Sequence, residues 1–260
     1  MQLLRNIPEV LPQPCVATIG FFDGVHRGHR YLIEQVREVA VVHGFASGVV
    51  TFPVHPRKVV QPEYHPELLT AYEEKVALLA ETGLDYCMML DFTPEVAILS
   101  AKEFMLFLYN HYNIRALVIG YDHRFGHNRS EGFDDYVRYG QELGIEVILA
   151  HAYIDKDVAV SSSVIRQLLS EGNVSEAASC LGYDYFLNGI VVSGYRVGRK
   201  IGFPTANLRV DDPDKLVPSD GVYAVRVTVA GQSYGGMLSI GYRPTTVSYT
   251  HLRAHETGAY

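Results

Sequence analysis

The sequence predicts an α/β domain built on a parallel sheet, followed by a small antiparallel β-barrel domain. Three observations predict it. Short apolar runs alternate with helical stripes through the first 150 residues. After about residue 183 the helical stripes give way to runs in which apolar and polar residues alternate one by one. The length, 260 residues, suits one large domain or two unequal ones at roughly 150 residues each.

Residues 15–19 are a short apolar run that ends at a glycine. Residues 29–42 place Leu32, Ile33, Val36, Val39 and Ala40 at helical spacing. Residues 47–52 read as a strand, 72–81 as a helix with Val76, Leu79 and Ala80 on one side, and 86–90 as a strand. Then 101–112 is helical, 116–119 extended, 133–143 helical and 145–149 extended. Strands alternating with amphipathic helices mean βαβ units with right-handed crossovers. Parallel strands are covered on both faces, which accounts for Leu117-Val118-Ile119 with no polar alternation.

Two short helices, 164–169 and 174–181, close this region, and the boundary is placed near Gly182. Residues 1–182 are thus one domain and 183–246 a second. Residues 185–192 and 222–229 lack helical periodicity. In the latter, Tyr223, Val225, Val227 and Val229 alternate with Ala224, Arg226 and Thr228, the pattern of a half-buried antiparallel strand. Residues 230–233 read as a hairpin turn into 234–240.

Composition narrows the function classes. With 22 basic and 29 acidic residues the formal charge is −7, which disfavours general nucleic-acid binding but leaves room for a local anion site. No stretch approaches the roughly 20 apolar residues that span a bilayer, and the N-terminus carries proline and glutamate where a signal peptide needs an apolar run. Cys15, Cys87 and Cys180 form no CxxC pair, so buried thiols in a reducing cytoplasm are expected rather than disulfides or structural zinc. No protein or membrane partner is implied.

The segment GFFDGVHRGH, residues 20–29, runs from the first strand into the first helix. In an open α/β sheet, ligands sit beyond the carboxyl ends of the strands. A helix start offers unpaired N–H groups and partial positive charge, so it favours phosphate even in an acidic protein. His26 and His29 bracket Gly28, a spacing that lets both imidazoles reach one phosphate while the backbone approaches closely. A neutral imidazole donates without gripping the product hard. The same histidines also fit a merely solvated turn. Zinc would need a third ligand that nothing nearby supplies. There is no GxxxxGK[ST] and no GxSxG, which excludes a P-loop NTPase and the usual hydrolase elbow.

HRGH resembles the HxGH signature of the nucleotidyltransferase superfamily, and GFFDGVHRGH is similar to its form in bacterial FAD synthetases, the N-terminal half of bifunctional riboflavin kinase/FMN adenylyltransferases. TFPVHP, residues 51–56, resembles that family's TFxPHP turn. GYDHRFGHNRSEG, residues 120–132, resembles its GxDFRFGxxRxG loop, with His123 in place of phenylalanine. VSSSVIRQLL, residues 160–169, resembles the second signature SSTxIR, with Ser163 for threonine. On physical grounds alone, serines before a helix with Arg166 one turn in suit a polyphosphate, or plain capping beside a surface arginine.

The resemblance implies a Rossmann-like nucleotidyltransferase domain that transfers AMP from ATP to the FMN phosphate, giving FAD and pyrophosphate with Mg²⁺ as cofactor. It implies that His26, His29 and Arg166 act on the reacting phosphates, and that Gly20, Phe22, Asp23, Gly24, Gly28, Ser162 and Ser163 bind the nucleotide. Asp23 has two readings of equal weight, a metal- or water-linked role and holding the turn. Asp122, Arg124, Phe125 and Arg129 shape a flavin or adenine pocket, surface charge being the rival reading for the three charged residues.

GYRVGRKIGFPTANL, residues 194–208, opens no helix and so is no dinucleotide fingerprint. On its face it is a glycine-rich barrel loop ending in a rigid turn, a hydroxyl and an amide, neutral oxygens of the kind Mg²⁺ accepts. It resembles the GxxxGRxxGFPTANL motif of riboflavin kinases. That implies nucleotide binding by Gly194, Gly198, Arg199, Gly202 and Pro204, and a metal–nucleotide pair in Thr205 and Asn207, with riboflavin as substrate. LVPSDGVYAV and GGMLSIGYRPT extend the resemblance, which covers about residues 15–246.

The likeness stops after Thr246. The family continues into a strand carrying a glutamate, the expected general base; this chain reads VSYTHLRAHETGAY, with Glu256 its only acid. Residues 247–260 resemble translated sequencing-adapter sequence and are expected to be non-native, leaving an incomplete barrel with impaired kinase activity. Two other functions stay in view: a nucleotidyltransferase with another acceptor, and a flavin- or nucleotide-binding module without turnover.

Overall fold

A computed structural model of the chain describes residues 1–5, 10–120, 123–127, 129–155, 158–193, 206–241 and 252–256. The chain divides into two units, Met1–Ser162 and Ser163–Tyr260.

The first unit opens with β1 (Gln2–Arg5), β2 (Cys15–Ile19), α1 (Arg27–His43) and β3 (Ala46–Thr51). It continues through α2 (Pro56–Val60), α3 (Tyr72–Ala80), β4 (Tyr86–Met89), α4 (Pro94–Ala97), α5 (Ala101–Tyr112) and β5 (Ile114–Ile119). It closes with α6 (Phe133–Leu143), β6 (Glu146–Leu149) and the short pair β7 (Ile154–Asp155) and β8 (Val158–Ala159). The six-stranded sheet has the order β1-β4-β3-β2-β5-β6, and every pairing in it is parallel. From β2 the chain steps outward on one side through β3 and β4, then returns to pair β5 against the other edge of β2. The crevice beyond the carboxyl end of β2 is therefore the topological switch point, where such sheets bind ligands.

Local chemistry explains the elements. Every residue of β2 and of β3 is buried, Thr18, Ser47 and Thr51 included, as central parallel strands covered on both faces require. Helix α1 turns Ile33, Val36 and Ala40 inward and stops at Gly44, whose left-handed φ of 67° lets its N–H return to the Ala40 and Val41 carbonyls. Ser100 and Glu103 cap α5 reciprocally. One core cluster includes Ile19, Val50, Met88, Leu108, Leu117 and Tyr136, while Ile33, Val36, Val49, Leu79 and Val118 are buried outside it.

The structure revises the sequence reading in places. Helix α1 begins at Arg27 rather than His29, because His26 is its N-cap. β1 was not foreseen: it is only four residues long and pairs with β4 across more than 80 residues of sequence. The short helices α2 and α4 were not foreseen either; each starts with a proline, which suits a first helical turn.

The second unit contains most of α7 (Ser162–Ser170), then α8 (Val174–Leu181), β9 (Gly189–Val192), β10 (Ala206–Val210), β11 (Gly221–Val229), β12 (Gln232–Ile240) and β13 (Leu252–Glu256). The sheet order is β11-β12-β13-β10-β9, antiparallel throughout. Tyr223, Val225 and Val227 are half-buried while Val222, Ala224 and Arg226 are exposed, so the alternation in β11 reports its face. Ala230 and Gly231, at φ 49° and 78°, form a two-residue turn with both residues left-handed, matching hairpin twist. β13 lies in the segment expected to be non-native, and its backbone pairs with both β12 and β10. Among the described residues β9 and β11 are the sheet's two edges and the barrel does not close. The strand read as 185–192 is shorter, Gly189–Val192.

Candidate phosphate-binding active site

Gly20 to His26 link the carboxyl end of β2 to α1. Phe22, Gly24 and Val25 all have positive φ, at 55°, 81° and 35°. Two of these are not glycine, an unfavourable conformation that persists only where surroundings impose it. Here Asp23 imposes it. Its side chain is 3% exposed, and its carboxylate accepts hydrogen bonds from the Leu69 and Thr70 N–H groups at 3.0 Å and from the Thr70 hydroxyl at 3.2 Å. The Thr70 hydroxyl oxygen in turn accepts the Gly24 N–H at 3.0 Å. Ser162 donates its hydroxyl to the Asp23 carbonyl at 3.0 Å. Of the two readings of Asp23, this geometry expresses the turn-holding one.

The histidines sit at the loop's exit. His26 Nδ1 accepts the His29 N–H at 3.3 Å, the N-cap bond of α1. A ring nitrogen that accepts carries no proton, so a neutral His26 carries its proton on Nε2. The two rings stack, with centroids 3.6 Å apart and planes 19° from parallel. Phe22 meets His29 edge-on at 5.1 Å. His29 is partly open as a residue, but its Nδ1 is buried and has no hydrogen-bond partner among the described residues. Burial first, then His26 and Lys75, hold its imidazole well below the usual histidine range, so it is neutral. Gly28 is required by proximity: a Cβ there would lie 3.2 Å from the His26 ring and 3.4 Å from the Val160 carbonyl. Gly20 has the Phe22 ring at 3.1 Å from the same kind of atom.

Lys75, from α3, closes the floor. It is 2% exposed, and its ammonium donates to the Phe21 carbonyl at 3.2 Å and the Phe52 carbonyl at 2.7 Å. It also lies 3.9 Å above the Phe21 ring centroid. Burial pushes its pKa down to about 8, against the opposing pull of Asp23 and Cys87. Thr51 donates to the same Phe21 carbonyl at 3.1 Å. Sequence reasoning missed Leu69, Thr70 and Lys75. A lysine on the buried side of a helix gives no pattern signal, and backbone donors have no residue signature. Thr51 did stand in a quoted motif.

The remaining candidates are distributed unevenly. Ser162 and Ser163 lie inside the first turn of α7 rather than before it, with Ser163 exposed and Arg166 half-buried. Arg124 is half-buried and donates to the His123 carbonyl at 3.1 Å. Arg129 is exposed with φ 50°. Phe125 is 8% exposed and stacks on Tyr136 at 4.1 Å, so its ring belongs to the core. Asn207 is half-buried in β10. Asp122, Gly194, Gly198, Arg199, Gly202, Pro204 and Thr205 lie outside the described residues, so the pairing of Thr205 with Asn207 has no geometry here.

The sheet order and the histidine-bearing loop at its switch point define the class, a Rossmann-like nucleotidyltransferase domain, here followed by antiparallel strands of a partial barrel. The FAD synthetase family model matches residues 9–164 and the riboflavin kinase model residues 181–258. The bifunctional riboflavin kinase/FMN adenylyltransferase of Escherichia coli strain K12 is 36% identical over 250 residues, 94% of this chain and 79% of that protein. The protein so described from Listeria monocytogenes is 36% identical over 231 residues, 88% of this chain and 73% of its own. A crystal structure described as a macrolide-efflux protein from Streptococcus pneumoniae superposes with a TM-score of 0.86 at 30% identity, covering 99% of this chain and 85% of that one. That description names transport, whereas the family models and curated relatives name transferases. The chain belongs to the bifunctional riboflavin kinase/FMN adenylyltransferase family. Among the described residues no helix is long and apolar enough to cross a membrane.

Proposed function

We propose that this chain transfers AMP from MgATP to FMN, and that the Gly20–His29 loop holds the reacting phosphates. A phosphate oxygen of FMN attacks the α-phosphorus of ATP in line. The bond from that phosphorus to the bridging oxygen breaks, FAD forms and pyrophosphate leaves. No covalent enzyme intermediate is needed, and catalysis is positioning and charge stabilisation, with Mg²⁺ arriving on the nucleotide.

The observation that carries this reading is the stacked pair of histidines at the N-terminus of α1. A neutral His29 and an Nε2–H on His26 are donors of moderate strength, suited to charge that builds on the α-phosphate and then departs. By resemblance to the second signature, Arg166 and Ser162 are assigned to the leaving pyrophosphate and Ser163 to the nucleotide. Arg124 and Arg129, with Asp122, are assigned to the flavin or adenine by resemblance alone. Cys15, Cys87 and Cys180 form no disulfide, which fits a reducing cytoplasm.

Kinase activity is the second half of the reading. Riboflavin phosphorylation by this chain is expected to be weak: among the described residues the five-stranded sheet does not close, and Val191 and Val222 are 70% and 71% exposed on the edge strands β9 and β11. Supplying MgATP with FMN, and separately with riboflavin, then separating flavins by chromatography tests both halves. FAD from FMN and little FMN from riboflavin are expected. No FAD from FMN overturns the first half, and brisk FMN formation overturns the second.

A further inference from the structure

Lysine is among the residues least often sealed from water, and it is sealed only where its charge is used. Lys75 is sealed, and both of its hydrogen bonds end on loops rather than on helices. Phe21 follows β2 and begins the run that leads to His26. Phe52 follows β3 and begins the Thr51–Pro56 turn, in which His55 caps α2. The Phe21 ring faces His55 edge-on at 4.8 Å while its other contact is the Lys75 ammonium. One cation therefore ties together the two strand-end loops that border the switch point.

We propose that Lys75 is a positioning residue for the phosphate loop: its ammonium pins the Phe21 and Phe52 carbonyls and so sets where the His26–His29 pair sits. This rests on the reading of that loop as the adenylyl-transfer site. Three facts support it beyond simple packing. A buried lysine with no role would be replaced at no loss by an apolar side chain of the same length. The tie is charge-assisted on both carbonyls, and a third donor, Thr51, shares the Phe21 carbonyl. The cation also acts on His29 directly, as one of the groups that keep its imidazole neutral. The ionisable groups facing this assembly are Asp23 and Cys87 around Lys75, and His26 and Lys75 around His29.

The test is Lys75→Met in the full chain, with two readouts. Ring resonances of His26 and His29 are followed by NMR through a pH titration of the unliganded protein. FAD formation from FMN and MgATP is measured alongside. The expected result is that both ring signals move and that His29 titrates at a higher pH than in the parent. The kcat for FAD falls at least tenfold while the KM for ATP changes less than about threefold. A folded variant whose histidine signals and titration coincide with the parent's overturns the proposal. If the parent itself makes no FAD, the functional reading fails, but the ring signals still decide the role of Lys75. If Lys75→Met does not fold, the parent is labelled with ¹³C-lysine and MgATP is added. A shift of the Lys75 Cε signal supports the tie to the site, and an unmoved signal overturns it.

Discussion

His26 and His29 lie ring on ring, 3.6 Å between centroids, while Nδ1 of the first receives the backbone N–H of the second at 3.3 Å. The stacking and the cap are one arrangement, because the residue that starts the helix also sets the ring its neighbour leans on. Two imidazoles so close resist double protonation, so the pair enters the reaction uncharged on His29. Replacing His29 with alanine removes the ring that can reach a phosphate and leaves the His26 cap in place. Turnover to FAD should fall by about 10²-fold or more with little change in melting temperature. An unchanged rate would remove the imidazole from the chemistry.

Gly28 separates stability from activity. Alanine in a helix is worth up to about 1 kcal/mol over glycine, and a disturbed N-cap costs about as much, so Gly28→Ala should stay within about 1 kcal/mol of the parent in stability. Its methyl group would lie 3.2 Å from the His26 ring and push it aside. FAD formation should drop roughly tenfold or more, since small displacements of positioned groups are costly. Calorimetry beside a rate assay reads both; equal activity would show that the ring position does not matter.

Asp23 holds the loop through the Leu69 and Thr70 N–H groups and the Thr70 hydroxyl. Asp23→Ala strands the Leu69 and Thr70 N–H groups and the Thr70 hydroxyl in a buried site, at a cost of about 3 kcal/mol in urea unfolding. Asp23→Asn keeps one acceptor oxygen and should lose less. Stability unaffected by Asp23→Ala would contradict the assignment.

These contrasts show what was legible in the sequence. The parallel sheet was, because β2, β3 and β5 are short, mainly apolar runs without strict alternation and α1 and α5 carry clear apolar faces. The hairpin of β11 and β12 was, because its alternation and its Ala230-Gly231 turn are both local. The histidine pair was, because the spacing around Gly28 is itself the signal. The floor of the site was not. Asp23 reaches Leu69 and Thr70 across 46 and 47 residues of chain, and Lys75 reaches Phe21 across 54. Such contacts are set by strand order, which a linear pattern does not encode. Phe125 was not legible for a different reason: a motif position does not reveal that the ring stacks on Tyr136.

Lys75 makes stability depend on pH in a defined direction. Its folded pKa, about 8, lies below the 10.5 of an unburied lysine. Below pH 8 both states hold the proton and the cost of burying the charge is fully present. Between about 8 and 10.5 the unfolded chain binds more protons, so folding is favoured progressively as pH rises. Relative to Lys75→Met, the parent should gain up to about 3 kcal/mol across that window. Urea unfolding of both proteins at pH 7 and pH 10 measures it. A difference that stays flat with pH would mean that the lysine is not buried as a cation.

The most direct measurement is the crystal structure of the chain with Mg²⁺ and a non-hydrolysable ATP analogue. The account predicts phosphates over the N-terminus of α1, within hydrogen-bonding reach of the His26 and His29 rings. A nucleotide bound with its phosphates away from that helix start would contradict it.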